Sequence, residues 1–80
     1  MHELGVLHHA VKTVTAIAEK NNIKKIKHLT LEVGRESDFV PMFLEKLFPV
    51  ATDGFPLMKG AQLRLEMVPG RGLQIKEIGY

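Results

Sequence analysis

Ile26-Lys27-His28-Leu29-Thr30-Leu31-Glu32-Val33-Gly34 alternates apolar and polar side chains and closes on a glycine. Leu29, Leu31 and Val33 take one side, and His28, Thr30 and Glu32 take the other. A period of two marks a half-buried β-strand over residues 26–33, ended by Gly34. Its apolar face needs a covering layer, and the preceding sequence supplies one. Leu4, Leu7, Val11, Val14 and Ala18 recur at alternating spacings of three and four, which places them on one helical face. Val6, Ala10 and Ile17 widen that stripe. His8, His9, Lys12, Glu19 and Lys20 occupy the opposite side. Asn21-Asn22 ends the pattern, because Asn tolerates the left-handed conformation that finishes helices. The spacing predicts a helix over Glu3–Lys20.

Beyond the strand, Asp38 is the expected N-cap of a second helix. Pro41 falls in its first turn, where a missing N–H costs nothing. Phe43, Leu44, Leu47 and Phe48 give this helix its apolar stripe. Pro49 removes a helical hydrogen bond, so the helix either kinks there or is nearly over. Residues 52–56 read as a loop. Gln62–Val68 alternates again, with Leu63, Leu65 and Met67 on one face. Pro69-Gly70-Arg71-Gly72 is a tight turn, and residues 73–78 form a last strand, so the final pair is expected to be a hairpin. Phe39, Met42, Phe43, Phe48, Phe55 and Met58 are expected in the core. The order is α-β-α-β-β. The fold class is α+β: a single domain over residues 1–80, with a small three-stranded sheet and two helices packed on it.

Eighty residues hold one domain, and the absence of cysteine excludes disulfides, thiolate zinc sites and cysteine nucleophiles. No apolar run reaches the length of a membrane span, and the start does not read as a signal peptide, so a soluble cytoplasmic domain is expected. Eleven Lys and Arg against nine Asp and Glu leave a formal net charge of +2, too small to argue for nucleic acid. Lys20, Lys24, Lys25, Lys27 and His28 form the one basic cluster. Without interleaved aromatics it reads as a solvated connection, or as a contact for acidic protein partners. The motifs of nucleophilic, nucleotide-binding and zinc-hydrolase sites are missing, so no enzyme is expected.

The unusual feature is Met1-His2-Glu3. A free α-amine, the amide nitrogen of residue 2 and the His2 imidazole can form two fused chelate rings around one ion. The amide of Glu3 or its carboxylate can add a fourth donor. Such a planar nitrogen set suits Ni(II) or Cu(II), and affinity order alone favours Cu(II). The alternative is a histidine that merely follows the initiator and frays in solvent. His8 and His9 point about 100° apart on a helix and cannot clasp one ion from one face. His9 is also about 10.5 Å along the helix from His2. His28 has no partner at ligand spacing.

These residues resemble the HypA/HybF family, the nickel metallochaperones of hydrogenase and urease maturation. The similarity begins at Met1-His2-Glu3-Leu4. It continues through Lys24-Lys25-Ile26, Leu31-Glu32-Val33-Gly34, Val40-Pro41 and Gly60-Ala61 to Leu65-Glu66 and Val68-Pro69-Gly70. The tail over residues 73–78 resembles the family's last strand. The resemblance implies a cytoplasmic nickel-binding domain that delivers Ni(II) by ligand exchange. It implies that the metal is held by the amine of Met1, the His2 side chain and the backbone amides of His2 and Glu3. It further implies protein partners, namely a HypB-type GTPase or a hydrogenase precursor, and neither nucleic acid nor membrane.

Family members carry a zinc domain with two CxxC pairs between the last two strands. Here the turn at residues 69–72 stands in its place, so no zinc is expected. Its loss leaves sheet edges available for a homodimer. Gly5 stands where the family usually has Ser, and Pro49 interrupts a helix that the family usually continues. Both suggest a divergent member. The competing expectation is a non-metal adaptor or regulatory module that kept the protein-docking surface of the nickel domain.

Overall fold

Helix α1 spans Glu3–Lys20 and presents Leu7, Ala10, Val11, Val14 and Ala18 to the core in a computed structural model that describes residues 2–80. Strand β1 spans His28–Gly34, helix α2 Pro41–Thr52, strand β2 Gln62–Val68 and strand β3 Leu73–Gly79, with a short 3-10 turn at Pro56–Met58 before β2. Leu29, Leu31 and Val33 of β1 are fully buried beneath the helices, beside Leu44, Phe48 and Ala51 of α2, Ile26 and Met58. The described residues thus form the α+β domain predicted from the sequence, with the helix and strand bounds nearly as expected.

The final two strands do not form a hairpin. The sheet order is β2-β1-β3, with β2 parallel and β3 antiparallel to β1. The turn at residues 69–72 therefore arches over the end of β1 instead of joining neighbours. Gly34 makes the arch possible, since a Cβ there would overlap the backbone of Gly70 and Arg71. The turn is also bonded to the chain beneath it. Gly34 N–H donates to Gly72 O (2.7 Å), Arg35 N–H to Val68 O (2.8 Å) and Glu36 N–H to Gly70 O (2.9 Å). The Glu36 carboxylate accepts from Gly70 N–H at 2.5 Å. Those exchanges occupy the backbone groups that a short turn would otherwise leave unmatched.

A bulge explains the spacing of the last strand. Thr30 faces Glu77 and Leu31 faces Ile75, so Lys76 is the extra residue. Ile75 and Ile78 can then both face inward although three positions apart. On the open face, Lys76 Nζ reaches Glu66 Oε1 at 2.6 Å, which raises the lysine above its ordinary pKa. Gln74 Nε2 donates to Glu32 Oε1 at 2.8 Å. β2 and β3 are both sheet edges, and these charges blunt them.

Several expected core residues lie outside. Leu4 and Ile17 are each 42% exposed, and Met42 and Phe43 are 58% and 47% exposed. Their spacing puts them at the margins of the helical stripes, where the three-stranded sheet is too narrow to cover them. Met67 is 40% exposed for a related reason, because β2 is an edge. The N-cap of α2 is Val40 rather than Asp38, and Val40 makes no side-chain cap bond. Pro49 lies within α2, which ends three residues later at Thr52.

Candidate metal centre

The start of α1 carries the candidate donors. Met1, with its amine, lies outside the described residues. His2 is exposed and is the N-cap of α1, with φ 66° and ψ 28°. Histidine tolerates this left-handed region better than most residues. The value of ψ has a chemical consequence. It keeps the amide nitrogens of His2 and Glu3 on the same side of the His2 Cα–C bond, the arrangement a five-membered chelate ring needs. The first helical bond runs from Val6 N–H to His2 O at 3.1 Å. The amide of Glu3 precedes it, so converting that nitrogen into a ligand costs no helical hydrogen bond.

Glu3 is the second donor residue, and its carboxylate is already engaged. The residue is only 5% exposed. Its Oε2 accepts the backbone N–H of Val40 at 3.1 Å, and the carboxylate also accepts the N–H of Glu3 itself. The Val40 bond first, then its own N–H, hold this carboxyl below its ordinary pKa of 4.5 despite its burial. One carboxylate thereby ties the start of α1 to the start of α2. Of the two fourth donors open from the sequence, the backbone amide is the one that leaves the Val40 bond intact, at the cost of the bond from the Glu3 N–H.

Nothing in the sequence announced the Glu3–Val40 bond, which joins residues 37 positions apart. The sequence pointed elsewhere, to Asp38 as the N-cap of the second helix, whereas the cap position is Val40.

The other histidines do not join the site. Among the described residues, no group of three or more His, Cys, Asp or Glu side chains converges as a metal cluster. His8 lays its ring edge-on against Phe55, with centroids 5.6 Å apart and planes at 69°. His9 is exposed on the outer side of α1. His28 sits on the sheet's open face against Gly79, where a Cβ would overlap the imidazole. Its Nε2 lies 3.6 Å from Glu77 Oε1, too long for a hydrogen bond. Among the described residues, no helix is long and apolar enough to cross a membrane.

A family model described as hydrogenase/urease nickel incorporation, metallochaperone, hypA matches residues 1–74. The hydrogenase maturation factor HypA of Trichodesmium erythraeum (strain IMS101) is 40% identical over 72 residues, which cover 90% of this chain and 60% of that protein. The hydrogenase maturation factor HypA of Methanothermobacter thermautotrophicus is 35% identical over 69 residues, covering 86% of this chain and 56% of that one. The chain thus spans little more than half the length of these relatives. The solution structure of the Ni metallochaperone HypA from Helicobacter pylori superposes with a TM-score of 0.78 over 96% of this chain and 72% of that one, at 18% identity. At that identity the match establishes the shared fold.

Proposed function

The chain belongs to the HypA family of hydrogenase/urease nickel-incorporation metallochaperones, and on that premise we propose that it binds Ni(II) at Met1, His2 and Glu3 and passes it to a maturation partner. The donors are the Met1 amine, the His2 amide and imidazole, and the Glu3 amide. The observation that carries this reading is His2 itself: exposed, left-handed, with ψ at 28°.

Such a site suits transfer. Met1, His2 and Glu3 would hold the ion through nitrogen donors beside the exposed His2, within reach of a partner's incoming ligands. Three of the donors lie on two residues at the extreme start of the chain, where exchange requires no opening of the core. The protein acts as a carrier, and its part is to hold and release the ion. The receiving partner is a HypB-type GTPase or a hydrogenase precursor, met in the cytoplasm.

The proposal includes a zinc-free design. The chain has no cysteine, and the turn between β2 and β3 is bonded to Gly34, Arg35 and Glu36 as a finished connection. That bonding supports reading the turn as a replacement for the zinc module.

Ni(II) titration of protein with an authentic N-terminus, beside protein bearing one extra residue before Met1, tests the reading. The extension displaces the amine from chelating distance. Nickel affinity is expected to fall on the order of 100-fold, about two factors of ten at 1.4 kcal/mol each. Equal affinities would overturn the proposal.

A further inference from the structure

We propose that the end of the molecule where α1 stops is a docking surface for an acidic segment of a partner protein. Lys20 closes α1, Lys24, Lys25 and Lys27 follow in the connection to β1, and Lys59 precedes β2; all five are exposed. Backbone bonds gather them. Ile26 N–H donates to Leu57 O (2.9 Å), Lys27 N–H to Gly79 O (2.7 Å) and Gln62 N–H to Lys27 O (2.9 Å). Residues 24–27 therefore run beside residues 57–62, fixed from both sides. Ile26 is fully buried and Ile23 packs against the core. The lysine stems consequently leave a rigid backbone.

Among the described residues, the ion pairs within 4.0 Å are His28–Glu77 and Lys76–Glu66, and neither involves any of the five lysines. Glu19 is the one acid in the adjoining turn of α1. With Glu19 counted at this end, the five lysines leave it a net charge of +4, and the remaining six Lys and Arg against eight Asp and Glu give −2. The chain's net positive charge thus resides at this end. The 18 residues of α1 separate this end from His2 by about 26 Å. A partner can occupy it while the candidate metal donors stay open.

The surroundings favour an acidic peptide over a nucleic acid. All five cations are lysines, point charges that attract carboxylate and phosphate alike. Single-stranded nucleic acid also needs aromatic platforms for its bases, and the run from Lys20 to Lys27 contains no Phe, Tyr or Trp. Ile17, 42% exposed one turn before Lys20, offers an apolar contact of the kind a protein partner uses. Opposed fields of this kind speed encounter and orient it.

The test uses the full chain and a fluorescein-labelled decaglutamate peptide, read by fluorescence anisotropy. A K24E/K25E/K27E variant is compared with a K12E/K46E/R71E variant of identical net charge, all six positions being exposed. The expected result is saturable binding, weakened about tenfold or more by the first variant and less than about twofold by the second. For the unaltered protein alone, binding should weaken several-fold between about 0.05 and 0.3 M salt, as screening requires. Nickel affinity should be unchanged by either variant, so the outcome is independent of the metal site. Equal weakening by the two variants would overturn the proposal, as would absence of saturable binding. Tighter binding of a ten-nucleotide single strand than of decaglutamate would overturn it in favour of a nucleic-acid surface.

Discussion

Where α1 ends, every bond is local. Asn21 donates its side-chain amide to Ile17 O at 2.8 Å. Asn22 is left-handed with φ 58°, its N–H reaches Glu19 O at 3.2 Å, and Ile23 N–H reaches Ala18 O at 2.8 Å. Those two bonds around a left-handed residue make a Schellman cap. Where α1 begins, His2 is also left-handed, but no side chain caps the helix. Order there comes from Glu3, whose partner Val40 lies on another element. One end is thus secured by its own neighbours and the other by tertiary structure. The proposed carrier role draws on that asymmetry: donors held through a distant bond can rearrange, whereas a locally closed cap cannot do so without unwinding the helix.

The largest expected effect breaks the beginning of α1 chemically. His2→Ala removes the imidazole and one chelate ring while leaving the helix almost untouched, because the residue is exposed and its cap role is made by backbone. Nickel affinity should fall on the order of 100-fold, while stability falls by about 1 kcal/mol or less, alanine suiting the left-handed backbone of residue 2 less well than histidine. Isothermal titration and a thermal melt on the same sample separate the two. Maturation activity retained although nickel affinity is lost would favour the non-metal adaptor reading instead.

The same asymmetry decides what the sequence discloses. Asn21-Asn22 announces the end of α1 because the physics is confined to adjacent residues. The spans of both helices and all three strands are legible for the same reason, through periods of two and of three to four. The pairing of β3 with β1 is not legible. Pro69-Gly70-Arg71-Gly72 satisfies the chemistry of a turn whether the strands become neighbours or straddle a third. What decides is Gly34, whose missing Cβ admits the Gly70 carbonyl, and that requirement concerns space between distant segments. The candidate site divides likewise. Met1-His2-Glu3 is conspicuous as a string of donors, but the occupation of the Glu3 carboxylate by Val40 is invisible until α2 is in place.

A second prediction tests that tertiary tie. Glu3→Ala leaves the Val40 N–H without its acceptor and should lower Tm by roughly 10 °C, the larger of the two stability losses predicted for the ends of α1. Glu3→Gln keeps an acceptor oxygen and should lose less. The pH dependence has a definite sign. The folded carboxyl sits below its ordinary pKa of 4.5, so its contribution is complete above that value and is lost as pH falls through the folded one. Denaturation of the parent and Glu3→Gln proteins should therefore show a stability gap that is constant from about pH 7 to 5 and closes below pH 4.5. A gap that persists unchanged at pH 3 would show that the charge on Glu3 is not what binds α2.

The smallest effect belongs to the local end. Asn22 adopts its left-handed φ of 58° at a cost that glycine would not incur and that alanine would incur in greater measure, since the alanine side chain cannot bond locally to offset it. Asn22→Ala should therefore destabilise by about 1 kcal/mol. Asn22→Gly should change stability by only a few tenths, because relief of the left-handed strain is opposed by the greater freedom of glycine in the unfolded chain. Neither should alter nickel affinity, since the cap stands about 26 Å from His2 along an 18-residue helix. Chemical denaturation and nickel titration of both variants would check this. A change in nickel affinity on altering Asn22 would mean that the two ends of α1 communicate through the helix, and the division between a closed local end and an adjustable tertiary end would fail.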